Sequence, residues 1–223
     1  MEIFIDYFGL SFIQSQLPRF WNGFQLTIAI AAASMIGAVT WGLLLVGPRM
    51  SGIKPIVWPL MAYVEFIRNT PLILQIYLSY FGLPLIGLPL SAFICGVIAI
   101  ASQHGAFLCE IIRSGIEAVS KQQWEGALAL GMTKRKAKYN VILPQALLKV
   151  VPPIGNQLVI LIKDTSLVSA IGIIELTLSG KMVIERSGAS FEVFLFIALL
   201  YLILTTTFGL ILRFVEIYLR ERQ

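Results

Sequence analysis

The stretch EGALALGMTKRKAKYNVILP, residues 125–144, is a compact basic segment in the middle of a chain that is otherwise mostly apolar. The whole chain has 223 residues, of which 57% are hydrophobic and 13% charged, and its mean hydropathy is +0.84. Because a soluble domain carries about 25% charged residues, this composition predicts an integral membrane protein. The residues of the polar segment then indicate which kind of membrane protein it is.

Apolar residues recur at helical spacing in and beside this stretch. They are Trp124, Ala127, Leu128 and Gly131. This spacing predicts a short helix with an apolar ridge rather than a solvated surface. Gly131 is a natural end for that helix, and Thr133 can cap a second helix that runs toward Pro144. A ridge of this kind would be a docking element, but the spacing alone fits an ordinary loop with a surface helix equally well.

Long uncharged runs predict five membrane spans, since about 20 apolar residues cross the hydrocarbon core. Residues 71–109 carry no charge and are too many for one span, and the Gly- and Pro-rich turn at 81–90 divides them into two. The other spans are residues 24–47, 141–162 and 193–212. Five spans put the two termini on opposite sides of the membrane. The segment 166–188 is too interrupted to span and is expected to form short helices.

The basic residues near the span ends predict the orientation, because Lys and Arg concentrate on the cytoplasmic side. They follow the first, third and fifth spans, at Arg49, Lys54, Arg113, Lys121, Lys134, Arg135, Lys136, Lys138, Arg213, Arg220 and Arg222. We therefore expect the N-terminus outside, the C-terminus in the cytoplasm and the loop at about 113–144 in the cytoplasm. The net charge of +5 then reflects topology near an anionic leaflet and not a nucleic-acid partner.

A longer pattern in the same stretch closely resembles the EAA motif of ABC importer permeases. That motif reads Glu-Ala-Ala, three residues, Gly, nine residues, Ile, any residue and Leu-Pro. The matching residues here are Glu125, Gly126, Ala127, Gly131, Val141, Leu143 and Pro144. Gly126 and Val141 are mild departures, and the spacing is the same throughout. Segments 63–82, 110–119 and 155–172 resemble the polar amino-acid branch of the family, so the resemblance covers nearly the whole chain.

The resemblance implies an all-α integral membrane protein, one permease domain over residues 1–223 with the five-helix core of a type I ABC importer. It implies a coupling helix at 125–131 that docks on a separate ABC ATPase dimer. It also implies a second permease subunit, identical or homologous, and an extracytoplasmic solute-binding protein that delivers a polar amino acid across the lipid of the bacterial cytoplasmic (inner) membrane. The ATPase-coupling residues would be Trp124, Glu125, Gly126, Ala127, Leu128, Gly131 and Pro144.

The sequence also predicts that ATP is hydrolysed by another chain. A phosphate-binding loop reads G-x-x-x-x-G-K-[S/T]. The only Gly-Lys pair is Gly180-Lys181, which is followed by Met182 and has Glu175 where the first Gly should be. We therefore expect no cofactor in this chain, with ATP and Mg bound by the partner ATPase. No Ser/His/Asp or metal-spaced cluster is visible in the sequence, so we expect no enzymatic activity and no metal site.

Polar residues within the membrane-like sequence are candidates for the substrate pathway, because a charge at the bilayer centre costs ~2.5 to 3.5 kcal/mol on insertion scales. They are Glu65, Arg68, Asn69, Thr70, Gln75, Asn156, Asp164, Thr165 and Ser166. Glu65 and Arg68 either pair locally or line the path. Gln75, seven residues after Arg68, would continue their polar face beyond Pro71, which removes a backbone donor. Asp164 either meets a positive group of the substrate or caps the next short helix.

An ion-gradient-driven secondary amino-acid transporter is the alternative from another class. Its ionisable residues would be Glu65, His104 and Asp164. The coupling pattern argues against it, because such a transporter has no reason to present an apolar ridge to a cytosolic ATPase. His104 lacks a positioned acid and is expected to be a hydrogen-bonded packing residue. Contacts at i,i+3 and i,i+4 among Glu110, Arg113 and Glu117 would brace the coupling helix.

Overall fold

The computed structural model of the chain describes residues 10–188 and 190–221, with side chains from Phe12 to Gly188 and from Ser190 to Leu219. These residues form helices joined by short turns and contain no strand, so the all-α expectation is confirmed. The helices are α1 Leu10–Arg49, α2 Lys54–Asn69, α3 Leu72–Tyr77, α4 Ala92–Glu117, α5 Lys121–Ala129, α6 Lys134–Ala137, α7 Leu143–Asp164, α8 Leu176–Ser187 and α9 Ser190–Glu221. Between them lie two π-helical turns, Leu78–Gly82 and Lys138–Ile142, and two 3-10 segments, Leu83–Ile86 and Thr165–Ile171.

Four helical stretches of the described chain are long and apolar enough to cross a membrane. They are Phe12–Arg49, Ala92–Glu117, Lys134–Ile171 and Ser190–Leu219. They correspond to the first, third, fourth and fifth predicted spans. The second predicted span differs from the structure. A helix, α2, already begins at Lys54 and ends before Pro71, and only the short apolar stretch Leu72–Ile86 follows it. Because α2 contains charged residues, it is not an uncharged run and was not predicted, and the count of five crossings is approximate.

Prolines explain where these helices widen or break. Pro144 donates no N–H, and in a regular helix its ring would clash with the carbonyl of the residue four positions earlier. The chain takes the π-helical turn Lys138–Ile142 just before it and continues into α7. Pro84 has the same relation to the turn Leu78–Gly82. Pro71 lies between α2 and α3, and Thr70 before it is extended, as a residue before proline prefers.

The described chain divides into two compact units, each made of three separate segments. Unit 1 comprises the described residues up to Ile36 together with Pro71–Ile100 and Leu161–Thr207. Unit 2 comprises Gly37–Thr70, Ala101–Ile160 and the described residues from Phe208 onward. The single domain over 1–223 and the orientation of the termini stay predictions. Of the residues used for that orientation, Arg222 and the Arg220 side chain lie outside the described part.

Unit 1 is held by apolar packing of α8 against parts of α1 and α9. The buried residues of this core are Phe20, Leu176, Val183, Val193 and Ile197. Two glycines allow the helices to approach closely, because a side chain at Gly23 would collide with Ser179 and one at Gly180 with Ile197. The interrupted segment 166–188 thus forms a 3-10 segment and a short helix, as the sequence predicts.

Unit 2 has two apolar clusters at different places. The first joins α1, α2 and α4 through Leu45, Val64, Ala106 and Cys109. The second lies where α4 ends and α7 begins, and its buried residues are Val119, Ile142 and Ala146. Trp124 of α5 packs against this second cluster. The loop that contains α5 is therefore attached to unit 2 by a core of its own.

Candidate functional site

The loop around α5 has the two caps that the sequence predicts. Gly131 follows the helix with a φ of +79°, in the left-handed region that favours glycine. The N–H of Met132 donates to the carbonyl of Ala127 at 3.1 Å, and the N–H of Gly131 donates to that of Leu128 at 2.9 Å, a Schellman ending. Thr133 Oγ1 then accepts the backbone N–H three residues later at 3.3 Å. Both predicted helix boundaries are confirmed.

The predicted ridge of α5 lies in two different environments. Ala127 is buried and Trp124 is half-buried against the cluster of unit 2. Leu128 is exposed, and Leu130 just after the helix is 82% exposed. The exposed residues that we call the outer face of α5 are Glu125, Gly126, Leu128 and Leu130. Trp124 and Ala127 therefore anchor the helix, and the outer face is exposed. A Cβ at Gly126 would meet nothing within 4 Å, so the Ala of the motif would fit there.

Two polar contacts join α7 to the chain that leads into α5. Gln145 Nε2 donates to Gln123 Oε1 at 3.1 Å. Lys149 Nζ donates to the carbonyl of Ala118 at 2.5 Å. Together with the packing of Trp124, these contacts tie α5 to the start of α7.

A cluster of four charged residues, which we call the ion cluster, lies at the end of α4 in unit 2. Arg113 donates to Glu110 Oε2 at 2.8 Å through Nη2 and to Glu117 Oε2 at 2.6 Å through Nη1. Arg49 Nε lies 3.6 Å from Glu110 Oε1. The predicted i,i+3 and i,i+4 contacts are confirmed. Arg49 completes the cluster from α1, a partner that local spacing does not reveal.

Glu65 and Arg68 of α2 are both exposed and do not pair with each other among the described residues. The Arg68 guanidinium carbon instead lies 5.0 Å from the centre of the Phe107 ring, a cation–π arrangement. The local ion pair that the sequence left open is therefore not formed. Arg68 thus contacts another helix of its own unit, and both charged side chains are exposed.

Asn69 and Thr70 complete the broken end of α2. Asn69 Nδ2 donates to the carbonyl of Glu65 at 2.8 Å, and Thr70 Oγ1 donates to that of Phe66 at 2.7 Å. An N–H at the position of Pro71 would bond to the carbonyl four residues earlier, so these two side chains do not replace the donor that proline lacks. They bond to the two carbonyls that precede that one, within α2 itself.

Two open clefts of unit 2 contain candidate pathway residues. Arg68 lines one of about 410 Å³ together with Glu110 and Lys149. Asn156 lines another of about 250 Å³ together with Arg213. The first cleft is within the size range of small-molecule sites and offers both cationic and anionic groups.

The remaining candidates lie in unit 1. Gln75 is buried, which corrects its placement on the polar face of Arg68, because α2 ends before Pro71 and the helical spacing does not continue. Thr165 Oγ1 donates to the carbonyl of Ile162 at 2.7 Å, and Ser166 Oγ donates to that of Lys163 at 2.8 Å. Asp164 occupies the cap position of the 3-10 segment, but its side chain makes no capping hydrogen bond. The capping alternative for Asp164 is therefore not supported.

His104 is buried in unit 2, where its Nδ1 lies 2.9 Å from Gln157 Nε2. An amide partner fixes the ring orientation and takes up no proton at physiological pH. The interpretation of His104 as a hydrogen-bonded packing residue is confirmed. The geometry gives no support to a proton relay through this residue.

Glu175 carries a fully buried carboxylate, at 0% exposure, in the turn before α8. Its Oε1 accepts the backbone N–H of Leu178, and its Oε2 accepts that of Thr177, both at 2.9 Å. Oε2 also accepts the hydroxyl of Tyr201 in α9 at 2.9 Å and lies 3.5 Å from Thr27 Oγ1 in α1. The ion pairs of the described residues do not include Glu175. Neutral groups from three helices thus surround this carboxylate, and we call it and its partners the Glu175 cluster.

Sequence reasoning considered Glu175 only as a departure from a phosphate-binding loop and missed the cluster. The available signal was one acidic residue in the apolar run AIGIIELTL, residues 170–178, followed by a threonine as at a helix start. Thr27 and Tyr201 are 148 and 26 residues away from it. Burial raises the pKa of the Glu175 carboxyl, while its hydrogen bonds act in the opposite direction.

Residues 38–220 match the family described as "Binding-protein-dependent transport system inner membrane component". The chain belongs to this family. It is a multi-pass permease of the inner membrane and a transport component. Permeases of this family work in general with an ATPase, a second permease and a solute-binding protein.

Known relatives and a solved structure agree with this assignment. The permease is 36% identical over 208 residues to the probable glutamine ABC transporter permease protein GlnM of Bacillus subtilis (strain 168), covering 93% of this chain and 96% of that one. It is 39% identical over 163 residues to the L-cystine transport system permease protein TcyB of the same organism, covering 73% and 70%. A chain from the crystal structure of "an amino acid ABC transporter with histidines" matches with a TM-score of 0.87 and 37% identity over 93% of this chain and 96% of that one. These similarities confirm the resemblance to ABC importer permeases.

Proposed function

We propose that this permease imports polar amino acids by alternating access, as one subunit of an ATP-driven transporter. Its relatives are named for glutamine and L-cystine transport, and the similar crystal structure is of an amino acid ABC transporter. These names support amino acids as the substrate class without selecting one.

The observation that carries the proposal is the geometry of α5. Trp124 and Ala127 anchor it to unit 2, while its outer face offers Glu125, Leu128 and Leu130. A short helix with a fixed inner face and a mixed apolar and acidic outer face is suited to dock in a cleft of a partner protein. The partner is a separate ABC ATPase dimer that binds ATP and Mg, since this sequence contains no phosphate-binding loop of its own.

A second permease subunit, identical or homologous, completes the pathway in this proposal. Glu65 and Arg68 are exposed on a single chain, although charged groups at membrane depth need a polar environment. In the helix Ser190–Leu219 only 6% of the most apolar window is buried within the chain, which leaves its surface for lipid or a second permease. An extracytoplasmic solute-binding protein delivers the substrate.

Asp164, Thr165 and Ser166, which we call the substrate strip, form the substrate-contacting segment in this proposal. Thr165 is fully buried, so Asp164 and Ser166 make the contacts. Asp164 meets its positive group, because a carboxylate is the one side chain of the strip that carries a charge. Asp164→Asn should abolish uptake while ATPase binding is retained. Uptake at the wild-type rate by this variant would contradict the assignment of Asp164.

Docking is tested by purifying the permease in nanodiscs with candidate ATPases and measuring ATP hydrolysis with and without a liganded binding protein. Glu125→Lys combined with Leu128→Asp places a reversed and an added charge on the outer face. We expect stimulated hydrolysis for the wild type and its loss in the double variant. Gly131 is left unchanged, because at its positive φ any other residue would strain the turn.

The matched control is Leu128→Met, which keeps an apolar side chain of similar volume and should preserve stimulation. Thermal unfolding of each variant shows whether the permease itself is intact. If no ATPase binds the wild type, or if the double variant is stimulated as strongly, α5 is an ordinary surface helix and the proposed coupling is wrong.

A further inference from the structure

We propose that Glu175 is a positioning residue for the substrate strip: it anchors α8 and Tyr201 in unit 1 and thereby holds the adjoining segment Thr165–Ile171 in place. The expected effect on transport rests on the proposed function. The anchoring of α8 is argued from the contacts within unit 1 alone. Glu175 would itself touch no substrate.

The first step is that the buried Glu175 carboxylate is stable only where its hydrogen-bond donors surround it. A charge buried without a cation is costly unless several donors surround it. The donors of the Glu175 cluster come from the first turn of α8 and from Tyr201 in α9. The hydroxyl of Thr27 in α1 lies beside them, 3.5 Å from Oε2, and donates to the carbonyl of Gly23 at 3.0 Å. Any movement of α8 away from Tyr201 would leave the carboxylate with fewer donors. The cluster therefore favours the arrangement in which all three helices converge.

The second step is that backbone packing leaves little room for adjustment around this carboxylate. Thr27 Oγ1 also accepts the backbone N–H of Leu176 at 3.1 Å, which ties α1 to the start of α8 directly. Gly23 and Gly180 allow the contacts of α8 with α1 and α9, and a side chain at either position would collide with its neighbour. A tightly packed element of this kind moves with its neighbours more readily than against them.

The third step connects the cluster to the substrate strip. Tyr201, which donates to Glu175, lies 3.2 Å from the hydroxyl of Thr177 in the first turn of α8, so the cluster fixes the start of that helix. Lys181 Nζ of α8 lies 3.5 Å from Ser169 Oγ in the 3-10 segment. That segment ends at Gly172, whose φ is +82°, only three residues before Glu175. The 3-10 segment that begins with the strip is thus joined to α8 by a side-chain contact as well as by a short covalent connection.

The test compares Glu175→Gln, which keeps the shape and removes the charge, with Tyr201→Phe, which removes one donor. Amide hydrogen exchange of residues 165–178 is measured on the full permease in nanodiscs. Gln keeps one acceptor oxygen where Glu has two, and Phe has no hydroxyl, so each variant removes a hydrogen bond of the cluster and we expect exchange there to rise about tenfold or more in both variants. Exchange within twofold of the wild type in both would overturn the proposal.

A matched control is available in unit 2. The Tyr63 hydroxyl accepts from Trp41 Nε1 at 2.9 Å and lies 2.7 Å from Ser102 Oγ, so Tyr63→Phe removes a similarly bonded hydroxyl elsewhere. Exchange of 165–178 should not change in this control. An equal rise there would mean that loss of any such hydroxyl loosens the permease, and it would also overturn the proposal.

The consequence for transport is measured as substrate moved per ATP hydrolysed, using the complex with ATPase and binding protein. We expect this ratio to fall in Glu175→Gln and Tyr201→Phe while the folded fraction is retained. A ratio equal to that of the wild type would reduce Glu175 to a helix cap and contradict the proposal. If the wild type itself shows no ATP-driven transport, the proposed function is wrong, and the exchange comparison alone decides the positioning role.

Discussion

Two glutamates of this permease are withdrawn from solvent by different means. In unit 2, Glu110 faces two guanidinium groups, with Arg113 at 2.8 Å and Arg49 at 3.6 Å. In unit 1, Glu175 is more deeply buried and faces only hydroxyl and amide donors. The ion cluster balances its charges within itself, whereas the Glu175 cluster depends on dipoles that converge from three helices.

This difference determines what each cluster loses when its carboxylate is removed. Without Glu110, Arg49 and Arg113 lose the anion between them in a partly buried place. Without Glu175, the groups left behind are neutral, and the penalty of burying a charge disappears with it. The deeper glutamate is therefore expected to be the less costly one to replace.

The largest effect is expected for Glu110→Ala. Removing one partner from a buried ion pair costs about 3 kcal/mol at the lower end of the usual range, and the 15% exposure of this side chain places it near that end. The measurement is the free energy of unfolding in mixed detergent micelles. A loss below about 1 kcal/mol would show that solvent screens the cluster as it does on a surface.

A smaller effect is expected for Glu175→Ala. It removes a helix cap and leaves the hydroxyl of Tyr201 without its acceptor, so the loss should be about 2 kcal/mol. The same unfolding measurement checks it, with Glu110→Ala as the reference. If Glu175→Ala proves the more damaging of the two, neutral donors hold a carboxylate more strongly than the comparison assumes.

The stability of the permease should also depend on pH through Glu175. Burial raises its pKa, so the folded state binds the proton more tightly than the unfolded chain does. Its contribution to stability is present below the ordinary pKa of about 4.3 and is lost as pH rises through the raised value. The wild type should thus lose stability relative to Glu175→Gln, which cannot titrate, as pH rises from about 4.3 through the raised pKa of Glu175.

Thermal unfolding of both proteins across this range measures that difference. Tyr201 is the titratable side chain that the described structure shows in contact with Glu175. If the wild type instead becomes more stable relative to Glu175→Gln as pH rises, the hydrogen bonds outweigh burial and lower the pKa of Glu175.

The smallest effect is expected for Glu117→Ala. The Glu117 side chain is 56% exposed, and an exposed i,i+4 pair contributes about 0.3–0.5 kcal/mol. This contribution should disappear in about 1 M salt, where the screening length is only about 3 Å. Unfolding of the variant and the wild type at low and high salt checks both statements. Salt should change the cost of Glu110→Ala much less, because that carboxylate is less exposed.

Local spacing explains why the sequence predicted one cluster and not the other. Glu110, Arg113 and Glu117 lie on one helix, so their contacts follow from helical geometry alone. The caps at Gly131 and Thr133 were predictable for the same reason. The partners of Glu175 come from α1 and α9, and no residue pattern near position 175 indicates them.

The errors have an equally local cause. The second span was expected to begin at Pro71, because the charges at Glu65 and Arg68 conceal the helix before it. Gln75 was placed by helical spacing across a proline that ends the helix. In both cases the helical spacing holds within each helix but does not continue across the break at Pro71.

Composition and uncharged runs are local properties of the chain, and they were sufficient to predict a helical membrane protein. The resemblance of the motif at 125–144 to a known family added the ABC importer permease, and local spacing predicted the caps of α5 and its ridge. Tertiary packing was needed to show which side of α5 is exposed, that Arg49 faces Glu110, and that Glu175 is buried where three helices meet. Packing selects among the faces that local geometry offers, and residues distant in sequence meet only when the apolar surfaces between them are buried.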